Sequence, residues 1–159
     1  MPMTLTSNVF TAERAGYVIS TDATLLNLLA IHDFLCNHAY WAKGIPLATV
    51  QRALENSLCF GLYQDTQQVG LTRIITDRAT YAYLCDVYVL DGHRGRGLAR
   101  WLMECVTQHP DLQGLRRMFL GTRDAHSLYA QFGFVALTEP ERYMAKLDPD
   151  VYLRGASGK

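Results

Sequence analysis

Asp91-Gly92-His93-Arg94-Gly95-Arg96-Gly97-Leu98-Ala99 joins two segments of different hydrophobic period. Before it, residues 81–90 hold Tyr, Cys and Val in a run that reads as a strand. After it, Leu98, Trp101, Leu102, Cys105 and Val106 recur at helical spacing until Pro110 stops the helix. Glycines at such a junction let backbone bend tightly and approach a ligand closely. The first N–H groups of the helix lack partners and carry partial positive charge. With Arg94, Arg96 and Arg100 around it, that N-terminus reads as a phosphate site. A Walker loop is excluded because Gly-Lys-Ser/Thr is missing, and a dinucleotide fingerprint would want glycine where Arg100 stands. Taken alone, the turn leaves an ordinary strand-to-helix connection equally open.

Upstream, Tyr17-Val18-Ile19-Ser20 reads as a first strand. Asp22 is placed to cap a helix with Leu25, Leu28, Leu29, Phe34 and Leu35 on its buried side, ending near His38. A connector with Tyr40, Trp41, Gly44 and Pro46 leads to a short helix carrying Leu47, Val50, Ala53 and Leu54. Apolar runs at 58–63, 69–76 and 81–90, with short polar joints, predict an antiparallel meander. Downstream, Met118-Phe119-Leu120 is a short strand, and a helix around residues 127–132 is closed by Gly133. Residues 134–137 and 143–147 are expected to finish the sheet as two more strands. The order is β-α-α-β-β-β-α-β-α-β-β, an α/β fold with a mixed sheet of about seven strands.

The chain has 159 residues, 49 % of them hydrophobic and 19 % charged, which suits one domain and excludes intrinsic disorder. A single domain over residues 1–159 is expected, with frayed tails at about 1–15 and 152–159. Fifteen basic and 15 acidic residues balance, which argues against a dedicated nucleic-acid binder. The balance is not uniform. From His93 to Arg123, six arginines face only Glu104 and Asp111, so that stretch is +4 and the remainder −4. No run is long and apolar enough for a membrane span, and the start lacks the pattern of a signal peptide. The four cysteines are widely spaced, with no Cys-x-x-Cys, and read as reduced, buried thiols of a cytoplasmic protein.

Two motifs give the turn its context. Arg94-x-x-Gly97-x-Ala99 resembles the Gln/Arg-x-x-Gly-x-Gly/Ala signature of the GNAT N-acetyltransferase superfamily. Ala125-His126-Ser127-Leu128-Tyr129-Ala130-Gln131-Phe132-Gly133-Phe134 is similar to that family's Ala-x-x-Leu-Tyr-x-x-x-Gly-Phe segment. The element order agrees from Tyr17 to Leu147, so the resemblance covers most of the chain. It implies a GNAT-like sheet with helices on both faces, and an enzyme that moves an acetyl group from acetyl-CoA directly to a primary amine. It also implies a role for each matched position. The backbone of Arg94, Gly95, Arg96, Gly97, Leu98 and Ala99 would hold the pyrophosphate. Val87, Tyr88 and Val89 would pair with the pantetheine arm as a further strand, and one of their N–H groups would polarise the thioester. Tyr129 would protonate the departing thiolate. Where many members carry Asn, this chain has Thr122, so the pantetheine contact is lost or passes to Thr122 or Asp124. A non-catalytic acyl-CoA-binding sensor of the same fold is the alternative. The partners implied are acetyl-CoA and an amine of a small molecule, peptide or protein, without nucleic acid or membrane, in a monomer or homodimer.

Each of the remaining candidates carries two readings. Asp86 interrupts an apolar strand, where an acid needs a purpose or a partner. It is either a general base for the attacking ammonium or the ion-pair partner of a strand neighbour such as Arg73. Tyr129 is either the acid or a packed aromatic. Tyr40 and Trp41 either wall the acceptor pocket, as the loop after the first helix does in the family, or belong to the core. His126 reads as a structural hydrogen-bonding residue rather than a catalyst, and His93, beside the turn, as an exposed turn residue rather than a contact to CoA. His32 and Cys36 lie one helical turn apart but lack a third metal ligand at matching spacing, so no metal is assigned. Arg116, Arg117 and Arg123 are either contacts to the CoA 3′-phosphate or solvated charge.

Overall fold

The computed structural model describes residues 8–154, which form two compact units. The first holds residues 8–26 and 56–121, the second residues 27–55 and 122–154.

The first unit is built on a six-stranded sheet whose spatial order follows the chain: β1 (Thr11–Arg14), β2 (Tyr17–Ser20), β3 (Leu58–Gln64), β4 (Gln67–Thr76), β5 (Tyr81–Val89) and β6 (Arg117–Leu120). The first five are antiparallel, and β6 joins β5 in parallel after the crossover helix α3 (Leu98–Gln108). The meander forms where its apolar runs predict it. Asp65 turns β3 into β4 with φ +52°, a primed-turn twist suited to a two-residue hairpin. At the next joint Asp77 Oδ1 accepts from the amides of Ala79, Thr80 and Tyr81. Phe60, Leu62, Leu71 and Ile74 are fully buried in the sheet, as are Leu102, Met103 and Val106 on α3. The face of α3 read from its period is thus the face the core takes up.

Strand β1 occupies a segment expected to be a frayed tail. Its sequence, Thr-Ala-Glu-Arg, shows no apolar alternation because its side chains are mostly exposed. Ala15 and Gly16, at φ +50° and +81°, return the chain into β2. Arg14 then reaches α3, with its guanidinium 5.1 Å from the Trp101 ring centre and 2.8 Å from Glu104.

The second unit contains α1 (Leu28–Asp33), α2 (Leu47–Glu55), α4 (His126–Ala130) and α5 (Val151–Arg154). Helix α1 starts later than expected. Asp22 caps only a single 3₁₀ turn, while Asn27 Oδ1 accepts from the amide of Ala30 and opens α1. Leu25 and Leu29, assigned to the buried side, are 52 % and 67 % exposed. A π-helical turn, Phe34–His38, extends α1 and buries Phe34 and Leu35. Its ring closes with the amide of Ala39 donating to the Phe34 carbonyl. His32 Nε2 hydrogen-bonds the Ile45 carbonyl oxygen at 2.9 Å, a structural use of that ring.

Two expected strands are absent among the described residues. Residues 134–137 and 143–147 are in no sheet, so the strand count is six rather than about seven. Their apolar sequence satisfies the strand pattern, but a strand also needs a hydrogen-bonding neighbour, which periodicity does not supply. No helix among the described residues is long and apolar enough to cross a membrane.

Candidate active site

Strand β5 and the turn after it carry the candidate residues of the first unit. Strand β6 pairs with β5 only from Tyr81 to Leu84. Among the described residues, the second half of β5, from Cys85 to Val89, therefore pairs with no strand on its β6 side. Opposite, the ladder with β4 slips: Leu71 faces Tyr88 and Arg73 faces Cys85, leaving Asp86 and Val87 against Thr72. This is a β-bulge, and Asp86 takes φ +48° within it. Asp and Asn tolerate that left-handed region better than other side chains.

The bulge brings the Asp86 carboxylate to Arg73, with Oδ2 2.5 Å from Nε, and Arg73 also donates to Ser57 Oγ at 3.0 Å. Both charged side chains are largely buried, at 8 % and 15 % exposure. Burial alone would lower the Arg73 pKa, yet Asp86 beside it holds the guanidinium above its ordinary value. Of the two readings of Asp86, the ion pair with Arg73 is present.

The chain leaves β5 with the amide of Leu90 donating to Val69 and turns once through residues 91–93. His93 is anchored rather than exposed: its Nδ1 shares a 2.9 Å hydrogen bond with the Tyr17 hydroxyl. Arg94 folds back, donating from Nε to the Val89 carbonyl oxygen and pairing with Asp91. Gly95 and Gly97 follow at φ +75° and +73°, and Gly97 opens α3 without any side-chain cap. The amides of the first turn of α3 thus meet no capping group of the protein. Arg100 pairs with Glu104, while Arg96 has no ion pair among the described residues.

The second unit carries the other motif. The Thr122 hydroxyl accepts from the Ala125 amide ahead of α4, a structural use of the residue that replaces the family's Asn. Gly133, at φ +85°, closes the helix, and the Phe134 amide donates back to the Tyr129 carbonyl. Tyr129 is buried at 8 % exposure. Burial, then the neighbouring Tyr40 and Asp124, push its hydroxyl up to about 12. Tyr40 and Trp41 meet edge to face at 5.1 Å and are about half exposed, so they are not core aromatics. Arg123 lies over the Tyr40 ring at 3.8 Å. That stack joins residues 83 positions apart and has no signature in sequence spacing.

The model of the Acetyltransferase (GNAT) family matches residues 28–134 of this chain. The chain belongs to the GNAT acetyltransferase family. A "Putative acetyltransferase" of Gibberella zeae is 36 % identical over 140 residues, covering 74 % of this chain and 78 % of that protein. The crystal structure of a "putative acetyltransferase belonging to the gnat family" from Xanthomonas campestris pv. campestris is 50 % identical. It superposes with TM-score 0.85 and covers 88 % of this chain and 99 % of the other. A "predicted acetyltransferase with acetyl-CoA" from Clostridium acetobutylicum shares the fold at 15 % identity and TM-score 0.58, covering 89 % and 95 %.

Within this GNAT chain three thiols, those of Cys59, Cys85 and Cys105, are held protonated. Burial pushes Cys59 and Cys85 up to about 12 each, and Cys105 to about 11. Cys85, the thiol in β5, also points its sulfur at the Arg73 carbonyl oxygen, 3.3 Å away. Arg116 and Arg117 line a cavity of about 400 Å³ with Thr80 and Tyr81 at the start of β5. The glycine turn follows the other end of that nine-residue strand, about 27 Å away. Neither arginine belongs to the turn.

Proposed function

We propose that this chain is an N-acetyltransferase that moves an acetyl group from acetyl-CoA directly to a primary amine. The observation that carries this reading is the second half of β5, beyond the reach of β6, running into the left-handed Gly95–Gly97 turn that opens α3 without a side-chain cap. A pantetheine arm laid along Val87, Tyr88 and Val89 would run beside the half of β5 that lies beyond its pairing with β6. The pyrophosphate would then meet the amides of Arg94, Gly95, Arg96, Gly97, Leu98 and Ala99 and the positive end of α3. Thr122 and Asp124 are proposed as further pantetheine contacts.

In the proposed step the amine nitrogen attacks the thioester carbonyl and its oxygen becomes an oxyanion. A β5 N–H fixed where that charge develops lowers the barrier directly. The C–S bond then breaks, and Tyr129 gives its hydroxyl proton to the CoA thiolate. The proton lost by the ammonium leaves through Asp86 or a water path that Asp86 helps fix. Tyr40 and Trp41 are proposed to wall the acceptor. We place the reaction in the cytoplasm of the cell, without nucleic acid or membrane as a partner.

Two substitutions test parts of this reading. Gly97→Val puts a β-branched residue where φ is +73°, although its Cβ would meet nothing within 4 Å in the protein itself. Acetyl-CoA affinity by calorimetry should fall at least about tenfold through loss of the turn's shape; unchanged affinity would remove the turn from the site. Cys85→Ala should leave kcat within about twofold, because a thiol held protonated is no nucleophile. Loss of turnover there would indicate an acyl-cysteine intermediate instead.

A further inference from the structure

The loop ahead of α4 is held at its base, where the Thr122 hydroxyl accepts from the Ala125 amide. From that loop Arg123 reaches Tyr40, with its guanidinium carbon 3.8 Å from the ring centre. A guanidinium over an aromatic face is attracted to it and held by it. Tyr40 in turn meets Trp41 edge to face, and the two rings are 51 % and 43 % exposed. The stack takes one face of the guanidinium and leaves the N–H donors on its rim. Elsewhere in the second unit, Arg142 pairs with Glu139 and Arg154 with Asp148. Arg123 has no ion pair and donates no side-chain hydrogen bond among the described residues, although Asp124 follows it in the chain.

The stack also stands beside the residue proposed as the acid. Tyr40 and Asp124 are both close enough to the buried Tyr129 hydroxyl to act on its charge. Residues 40, 41, 123, 124 and 129 all belong to the second unit. An acceptor delivered toward Tyr129 along the Tyr40 and Trp41 wall therefore meets Arg123. Asp124 attracts the ammonium end of such a molecule, and Arg123 attracts an opposite charge. The planar fork of a guanidinium matches carboxylate and phosphate oxygens in pairs. Because the Tyr40 ring already holds that plane, less side-chain freedom is lost when the anion binds.

We propose that Arg123, seated on Tyr40, determines acceptor specificity by taking a carboxylate or phosphate group on the amine. Resting on the acetyl transfer proposed above, this role narrows the acceptor to amines that carry an oxyanion away from the reacting nitrogen. Neutral amines of the same shape leave the guanidinium rim to water and gain nothing from it.

Steady-state kinetics on matched pairs test it: ω-amino carboxylates of graded length against their amides, and ω-amino alkyl phosphates against the corresponding alcohols. The wild type should favour the anionic member of at least one pair by about tenfold or more in kcat/KM, and the two series distinguish carboxylate from phosphate. Arg123→Gln should raise KM for that anionic amine about 10- to 100-fold and bring the pair's ratio toward one, with KM for acetyl-CoA within about twofold. Arg123→Lys should restore only part of the preference, since an ammonium keeps the charge and loses the fork. A wild type indifferent to the anionic group would overturn the proposal. So would an Arg123→Gln variant that weakens both members equally, or one that raises KM for acetyl-CoA instead, which would place Arg123 on CoA. If no amine of these series or of a metabolite extract releases thiol, acetyl transfer fails rather than the role of Arg123. Calorimetric titration of the same pairs then decides: anionic preference lost in Arg123→Gln supports the role, and equal binding by the two proteins overturns it.

Discussion

Tyr129→Phe should lower kcat by about 10²- to 10⁴-fold, the range lost when a positioned general acid is removed. The ring stays, so its edge-on contact with Phe134 at 6.0 Å and its burial stay with it. Thermal stability should therefore move little. The pH profile provides a second readout. Burial raises the hydroxyl's pKa to about 12, so the protonated form, the one able to donate, persists through neutral and moderately alkaline pH. The wild type should show no alkaline limb from this group below about pH 11. A Phe variant with unchanged kcat across pH would leave Tyr129 as a packed aromatic. The same pKa shift affects folding in the same sense. A group protonated more firmly in the folded state stabilises the fold below the unfolded pKa, and that contribution fades as pH rises toward 12.

Asp86→Ala should destabilise the fold by about 3–5 kcal/mol, the cost of leaving one member of a buried ion pair without its partner. Arg73, 15 % exposed, would keep its charge and lose the carboxylate 2.5 Å away. Alanine would also have to hold φ +48° in the bulge, which Asp and Asn do at lower cost. Asp86→Asn separates the structural function from the chemical one. It keeps the backbone preference and one acceptor oxygen, so urea denaturation should show a smaller loss than for Ala. If Asp86 also takes the ammonium proton, kcat per folded molecule falls in the Asn variant, and falls most at low pH where the amine is protonated. An Ala variant as stable as wild type would contradict the ion pair's structural role.

The sheet centre and α3 were legible because burial there follows a simple period. Runs such as Leu58-Cys59-Phe60 and the spacing of Leu98, Trp101, Leu102, Cys105 and Val106 record which face meets the core. Strand β1 was not, since four mostly exposed residues leave no apolar record and its place depends on a turn and on Arg14 reaching α3. Leu25 and Leu29 fit the period of α1 and are nonetheless exposed, so spacing alone placed them on the wrong side. At the site, Asp86 stood out as an acid in an apolar strand, and Arg73 was nameable as its partner. The bulge that joins them was not, because it exists only as a mismatch of two registers. The glycines of the turn were readable, whereas the folding back of Arg94 onto Val89 was not. Of the six arginines in the +4 stretch, Arg94, Arg96 and Arg100 surround the turn, Arg116 and Arg117 lie at the far end of β5, and Arg123 stacks on Tyr40. The +4 stretch therefore spreads over three places, and only Arg94, Arg96 and Arg100 lie around the turn.

Incubating the purified chain with acetyl-CoA and a panel of amines, while following free thiol and product mass together, tests the central claim most directly. The account predicts thiol release that depends on one class of amine, matched mole for mole by a product heavier by one acetyl group. Tight acetyl-CoA binding without thiol release on any amine, from the panel or from a metabolite extract, would contradict it and identify the chain as a sensor of acyl-CoA.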